Sequence, residues 1–144
     1  MVGIKIEKLK IRDMEQYKSL IDKCFGNSHD LTEYLNSYSE DEEAYLVFVA
    51  KEENKIIGSM TCYTINLFTF SFQPALELFN VAVLEEYRRQ NVAKILFEKI
   101  KEFASVSGYR TIYLTCLDTA FSAHEFYESV GLEKMNSLKY NMKL

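Results

Sequence analysis

Residues 75–117 read ALELFNVAVLEEYRRQNVAKILFEKIKEFASVSGYRTIYLTCL, and this stretch decides the fold. Its first part is a nearly continuous apolar run, which is typical of a strand that is covered on both faces. Apolar side chains then recur at helical spacing up to Gly108, and residues 111–117 are rich in strand formers. Because a helix of roughly 16 residues separates two strands, they form a crossover unit and are predicted to run parallel.

Upstream of this unit the pattern predicts one strand, two helices and a hairpin. Residues 2–10 alternate in the manner of a half-exposed strand, and helical spacing follows over residues 13–25 and 30–38. Residues 44–51 and 56–67 are β-branched and aromatic and are joined by a short polar link, as an antiparallel hairpin requires.

Downstream, a last helix carries Ala123, Phe126, Tyr127 and Val130 on one face before Gly131. The tail alternates apolar and polar residues over 138–144 and is predicted to close the sheet. The expected fold class is α/β (α+β), a mixed and mostly antiparallel sheet with a central parallel strand–helix–strand crossover flanked by helices.

Composition places the chain among globular proteins. With 144 residues, 48% hydrophobic residues, Gly 5 and Pro 1, residues 1–144 are predicted to form one domain, and disordered or fibrous classes are excluded. No apolar run reaches the roughly 20 residues of a membrane span, and no secretory signal is present at the N-terminus. We therefore expect a cytoplasmic location and no membrane partner.

Charge and cysteine content argue against a nucleic-acid-binding protein and against a disulfide-rich or zinc-binding protein. Lys+Arg 17 against Asp+Glu 21 gives a net charge of −4, which argues against a nucleic-acid partner. Cys24, Cys62 and Cys116 are odd in number and form no C-x-x-C pair. We predict that all three are small core residues, and no metal site is expected.

Two polar residues interrupt the apolar strand and need an explanation. Burying the Glu77 carboxylate costs several kcal/mol unless it is paired or solvated, so Glu77 either lines a cleft or pairs with a buried cation. Asn80 is the second exception, and strict alternation would place it on the opposite face of the strand from Glu77.

Arg88 and Arg89 lie near the N-terminus of the predicted long helix, where the helix dipole disfavours cations. One explanation is that Glu85 and Glu86 offset the two charges. The other is that the guanidinium groups and the free N–H groups of the helix together hold an anion such as phosphate.

Two motifs in register with these elements resemble the GNAT family of N-acetyltransferases. Residues 88–93, RRQNVA, resemble the acetyl-CoA motif R/Q-x-x-G-x-G/A, with Asn91 in place of the first glycine. Asn tolerates the left-handed backbone conformation better than other non-glycine residues. Residues 123–132, AHEFYESVGL, match the second motif A-x-x-F-Y-x-x-x-G-F/L at each specified position. The resemblance covers residues 77–132, and upstream only the order of elements agrees.

The resemblance implies acetyl transfer from acetyl-CoA to a primary amine by direct attack in a ternary complex, without a metal. The amine would belong to a small molecule, a peptide N-terminus or a lysine. Backbone groups of Val81, Ala82 and Val83 would bind the pantetheine arm and the thioester. The pyrophosphate would be held by the segment after the strand, namely Arg88, Arg89, Gln90, Asn91, Val92, Ala93 and Lys94.

The same resemblance implies two catalytic residues. Tyr127 would be the general acid, since the leaving thiolate needs a proton and a phenol carries a transferable one. Glu77 would take the proton of the acceptor, directly or through a water. A water held at Asn80 is the alternative base, and a bulge typical of this strand in the family would bring Asn80 to the same face.

A non-catalytic acyl-CoA-binding regulatory module is the alternative function, and a phosphate-binding protein unrelated to CoA is a third. The acceptor site would be built from the two N-terminal helices and the loop over residues 67–75. Because many family members dimerise through sheet edges or terminal strands, a homodimer is possible.

Neither histidine is predicted to be catalytic: His29 is a solvated cap residue, and His124 lies beside an apolar stripe. Core or loop packing is predicted for five aromatics, some of which could wall the acceptor pocket: Tyr34, Tyr38, Phe68, Phe70 and Phe72.

Overall fold

The computed structural model describes residues 3–41, 45–69 and 71–144. Some residues that the sequence predictions include lie outside the described ranges. They are Val2, Glu42, Glu43, Ala44 and Phe70. The strands form one sheet in chain order, antiparallel except for the last two, which run parallel. They are β1 (Lys5–Lys8), β2 (Tyr45–Glu52), β3 (Lys55–Ile65), β4 (Ala75–Val83) and β5 (Thr111–Leu114). The predicted fold class is confirmed.

Helices cover both faces of the sheet, as the apolar stripes predict. Helix α3 packs on one face, and α1 and α2 pack on the other, so the core lies in two layers. Within the described residues, no helix is both long and apolar enough to cross a membrane. The helices are α1 (Met14–Phe25), α2 (Leu31–Ser37), α3 (Val92–Val106) and α4 (Phe121–Ser129).

The hairpin between β2 and β3 has a tighter turn than the predicted polar link of four residues. Only Glu53 and Asn54 lie outside the strands, with φ of 48° and 67°. Positive φ at both central residues is what a two-residue type I′ turn requires, and this turn matches the twist of the strands that it joins. The strands therefore each extend one residue into the predicted link.

The prediction that the tail closes the sheet is wrong. Residues 133–144 form no strand, and Leu138, Tyr140, Met142 and Leu144 are 81%, 87%, 83% and 116% exposed. Alternation indicates which side chains share a face, but it supplies no neighbouring strand with a matching register. Strand β5 ends at Leu114 instead of residue 117 and is the edge of the described sheet.

The cysteine prediction holds fully for one residue. Cys62 is buried on β3, while Cys24 and Cys116 are only half-buried, and all three are free thiols. Cys24 lies on α1 with its Sγ donating to the Val83 carbonyl at 3.6 Å, so it contributes to the packing of α1 on β4.

A buried ion cluster fastens β1, β2 and the start of α1. Lys51 is only 7% exposed, and its Nζ lies 2.7 Å from Glu7 Oε1 and 2.6 Å from Asp13 Oδ2. The hydrogen bond from Lys51 holds the pKa of Glu7 below its ordinary value. Burial alone would lower the pKa of Lys51, but the hydrogen bonds to Asp13 and Glu7 outweigh it and raise that pKa.

Replacing Lys51 by Met should destabilise the protein by about 3 kcal/mol, since it removes the buried cation and leaves Glu7 and Asp13 with only the exposed Lys5 and Arg12 nearby. The Glu7 share of the lost stability is present above the ordinary pKa of 4.5 and disappears as pH falls through the lowered folded value. The difference between wild type and Lys51→Met in urea unfolding should therefore shrink in acid. Lys5→Met is the control, because Lys5 is exposed and lies 3.4 Å from Glu7. An equal loss in both variants would contradict this account.

Candidate active site

Strands β4 and β5 separate halfway along β4. They pair only from Ala75 opposite Thr111 to Leu78 opposite Leu114, whereas β4 continues to Val83. From residue 79 onward, the side of β4 that faces β5 therefore has backbone N–H and C=O groups without a strand partner. Val81, Ala82 and Val83 lie in this part of β4, where a ligand can pair with backbone groups that have no partner. The Val83 carbonyl already accepts from Cys24 Sγ and Arg88 Nε.

A β-bulge interrupts β4 where the unpaired part begins. Thr61 pairs with Phe79 and Ser59 pairs with Ala82, so Asn80 and Val81 together oppose Met60. Asn80 has φ of 51° and lines a cleft on the face covered by α1 and α2. The bulge therefore places Asn80 on the same face of the sheet as Glu77, whereas strict alternation would place it on the opposite face.

The turn from β4 into α3 leaves an open helix N-terminus. Arg89 and Asn91 have φ of 65° and 63°, which confirms the left-handed conformation predicted for Asn91. No side chain caps α3, and the amide of Ile95 donates to the Asn91 carbonyl at 2.9 Å. The N–H groups of the first helical residues, 92–94, have no partner within the helix and can bind an anion.

A close contact with the sheet fixes the position of this helix end. A Cβ on Gly58 would lie 2.9 Å from Val92 Cγ1 and 3.1 Å from the Ala82 carbonyl oxygen. Only glycine permits the first turn of α3 to approach β3 and β4 so closely. The helix N-terminus and the unpaired part of β4 are consequently held side by side.

The two arginines at this turn are exposed and not neutralised by the neighbouring acids. Arg88 donates from Nε to the Val83 carbonyl at 3.1 Å. Across the parts of the chain that the structure describes, no ion pair joins Arg88 or Arg89 to Glu85 or Glu86. Of the two explanations drawn from the sequence, the structure favours an anion-binding turn.

Tyr127 is half-buried on α4, and its ring lies 5.5 Å from that of Phe126. Burial raises the pKa of the Tyr127 phenol, and proximity to Cys116 raises it further. Because the raised pKa exceeds 10.0, Tyr127 is a neutral phenol with a transferable proton at physiological pH.

Glu77 occupies a row of tyrosines across the sheet. Directly paired residues share a face, and the register aligns Glu77 with Tyr63 on β3 and Tyr113 on β5, while Tyr63 pairs with Tyr45 on β2. Glu77 is half-buried, and no cation pairs with it in the described ranges. This placement argues against a buried ion pair as the explanation of Glu77, although Glu77 itself is not among the residues that line the cleft between α1, α2 and the sheet.

A cleft of about 290 Å³ lies between α1, α2 and this face of the sheet. We call it the tyrosine cleft, because Tyr17, Tyr34, Tyr38 and Tyr45 line it together with Asn80. Sequence reasoning proposed Tyr34 and Tyr38 as candidate walls but missed Tyr17 and Tyr45. Tyr17 is indistinguishable from a core position on the apolar stripe of its helix, and Tyr45 from a strand residue.

The two histidines make local contacts, and the N-cap of α2 is Asp30 instead of the predicted cap residue His29. His29 is exposed and its Nδ1 lies 3.2 Å from Glu33 Oε2 at the rim of the tyrosine cleft. His124 Nε2 lies 2.7 Å from the Leu117 carbonyl oxygen, a contact that fastens the loop before α4.

A parallel strand that continues past the end of its neighbour, beside an open helix N-terminus, defines an α/β protein suited to a ligand with phosphate groups and an extended arm. The sequence profile of the acetyltransferase (GNAT) family matches residues 14–132. The chain belongs to this family, as the two motifs indicate.

Individual relatives agree with this assignment. Human N-acetyltransferase 8 is 30% identical over 105 residues, which cover 73% of this chain and 45% of that protein. An uncharacterized N-acetyltransferase of Archaeoglobus fulgidus is 26% identical and is covered to 84%, with 86% of this chain covered. An aminoglycoside acetyltransferase from an uncultured soil metagenomic sample superimposes with a TM-score of 0.79 and 26% identity over 97% of both chains. The chain spans about half the length of several curated relatives that it matches.

Proposed function

We propose that this chain transfers the acetyl group of acetyl-CoA to a primary amine by direct attack in a ternary complex. The observation that carries the proposal is the unpaired end of β4 beside the open N-terminus of α3. Acetyl-CoA supplies an activated thioester, an extended pantetheine arm and a pyrophosphate. The residues present fit these parts: unpaired backbone for the arm, and free amides with two exposed arginines for the pyrophosphate.

The proposed binding roles follow the geometry. Val81, Ala82 and Val83 offer backbone groups to the arm. Arg89 and the amides at the start of α3 would bind the pyrophosphate, whereas Arg88 donates to the Val83 carbonyl at 3.1 Å and must leave it in order to bind phosphate directly. The pyrophosphate segment as a whole comprises Arg88, Arg89, Gln90, Asn91, Val92, Ala93 and Lys94.

The proposed chemistry conserves atoms and protons. The bond from the amine nitrogen to the acetyl carbon forms, and the bond from that carbon to sulfur breaks. Glu77 takes the proton of the ammonium, directly or through a water, and a water at Asn80 is the alternative. Tyr127 gives its proton to the departing sulfur. A cytoplasmic location and a homodimer remain predictions from the sequence.

Release of free CoA thiol across a panel of amines and peptides tests the proposal. We expect turnover with at least one acceptor, and none without an amine. Acetyl-CoA binding without thiol release from any acceptor would favour the regulatory module instead. Tight binding of nucleotides that lack the pantetheine arm would favour the phosphate-binding alternative.

Replacing Asn91 by Gly should tighten acetyl-CoA binding modestly. Gly adopts the observed left-handed conformation without strain. It also removes a side chain that would crowd a pyrophosphate bound at this turn. Asn91→Ala is the matched control, because Ala also removes the amide but strains the backbone by roughly 1–2 kcal/mol. Titration calorimetry gives the affinities. Weaker binding in Asn91→Gly would show that the Asn91 side chain itself contacts the cofactor.

A further inference from the structure

Three of the four tyrosines that line the tyrosine cleft have hydroxyl groups that already contact the protein: Tyr17, Tyr34 and Tyr38. Tyr34 donates to Asp22 Oδ1 at 3.2 Å, and Tyr38 donates to the Leu9 carbonyl at 2.6 Å. The Tyr17 hydroxyl lies 3.5 Å from Thr61 Oγ1. Since these hydroxyls are held by the protein, the cleft presents ring surface to a ligand more than free hydrogen-bond donors.

The charges around the cleft favour a cation. Burial raises the pKa of Tyr34, Tyr38 and Tyr45 to about 12, so all three stay neutral. Glu33 supplies the carboxylate of the lining, next to His29, and no Lys or Arg occurs among the described residues that line the cleft. Aromatic faces and a carboxylate attract an ammonium group. His29 is the remaining basic side chain in the described lining, and its Nδ1 already lies 3.2 Å from Glu33 Oε2, so a ligand carboxylate would lose its hydration there and compete with Glu33 for that partner.

The cleft reaches the proposed reaction centre. Asn80 of the β4 bulge lines it, immediately before Val81, Ala82 and Val83 of the unpaired strand. Tyr45 and Glu77 share a face and are separated by two strand spacings, roughly 10 Å. An amine whose body lies against the tyrosines can therefore place its nitrogen at Asn80, on the face of the sheet that also carries Glu77 beyond Tyr63.

The size of the cleft restricts the ligand further. At about 290 Å³ it is at the lower end of small-molecule sites, which range from roughly 300 to 1,000 Å³. A compact body fills this volume, and its apolar surface matches the rings and the side chains of Met14 and Ile21 on α1.

We infer that the tyrosine cleft takes a compact primary amine with an apolar body and no carboxylate, an arylalkylamine or alkylamine that arrives as a cation. This inference rests on the proposed acetyl transfer, because it assigns the acceptor of that reaction. It excludes free amino acids, whose carboxylate would meet ring faces and Glu33.

A matched pair of ligands tests the inference. 2-Phenylethylamine and phenylalanine share a skeleton and differ by the carboxylate. With protein saturated by CoA, which blocks turnover, calorimetry should show the amine binding at least about tenfold more tightly than the amino acid. Equal affinities, or a preference for phenylalanine, would overturn the inference.

Variants of one tyrosine separate ring chemistry from bulk. Tyr45→Phe keeps a ring and should retain amine affinity, whereas Tyr45→Leu keeps apolar bulk without a ring and should weaken binding about tenfold. Glu33→Gln should lower the affinity for 2-phenylethylamine and leave the affinity for phenylalanine unchanged or higher. Tyr140→Leu, at a position 87% exposed on the tail, is the control and should change nothing. Equal affinity in the Phe and Leu variants would contradict the role of the rings.

Thiol release measured on the same ligands distinguishes this inference from the proposed function. Turnover only with carboxylate-bearing amines would leave acetyl transfer intact and refute the assigned acceptor class. Selective amine binding without thiol release from any acceptor would refute acetyl transfer and leave the ligand preference of the cleft standing.

Discussion

Replacing Tyr127 by Phe should lower kcat about 10²–10⁴-fold and leave the affinity for acetyl-CoA unchanged. The substitution removes the transferable proton and keeps the ring that packs near Phe126. Single-turnover measurements with a good acceptor and calorimetry with acetyl-CoA separate the two effects. Tyr140→Phe, which removes an exposed phenol from the tail, is the control and should retain full activity.

The pH profile gives a second readout on Tyr127. Burial and Cys116 raise the pKa of the phenol above 10.0, so the acid form persists through neutral and mildly alkaline solution. Any alkaline loss of wild-type activity attributable to Tyr127 should therefore occur at higher pH than an ordinary tyrosine would give. Unaltered kcat in Tyr127→Phe would make Tyr127 a packing residue of α4.

Replacing Glu77 by Gln should lower kcat/KM at pH 7 by about 10²–10⁴-fold with little change in acetyl-CoA binding. The amide keeps the shape of the side chain in the row of tyrosines but cannot accept the proton of an ammonium. A deprotonated amine needs no base, so part of the activity should return as pH approaches the pKa of the acceptor. Glu98→Gln, on the exposed side of α3, controls for the loss of a charge.

Stability measurements on Glu77→Gln resolve the remaining explanations. A parallel loss of stability and activity would make Glu77 a structural residue. A variant with full activity and full stability would place the base elsewhere, and a water at Asn80 would be tested next by Asn80→Ala.

Periodicity predicted the elements whose burial is one-sided or complete. The stripe from Ala93 to Ala104 predicted α3, and the apolar run predicted β4 and its parallel neighbour. The strand predicted for the tail does not form, because residues 138–144 have an alternating pattern but no strand beside them. Periodicity reports the environment that a segment can occupy, and pairing depends on the register and length of another segment.

In the candidate site, too, the sequence predicted the features that are encoded locally and missed those formed by residues distant in sequence. Local motifs identified the turn at Asn91 and the position of Tyr127, since a conformation or a residue type is encoded within a few residues. The tyrosine cleft and the cluster around Lys51 join side chains that are distant in sequence and meet only through the sheet register and the packing of the N-terminal helices on the sheet. Each of those side chains alone resembles an ordinary strand or helix residue.

The central claim is that the unpaired end of β4 and the N-terminus of α3 together bind acetyl-CoA. A ligand that binds only the folded state stabilises it by RT ln(1 + [L]/Kd), or about 2.7 kcal/mol at 100 times Kd. Thermal unfolding with millimolar acetyl-CoA, with ADP and with inorganic phosphate tests this claim most directly. We predict a rise in Tm of several degrees with acetyl-CoA and clearly smaller rises with the two ligands that lack the pantetheine arm. No rise with acetyl-CoA, or an equal rise with phosphate, would contradict it.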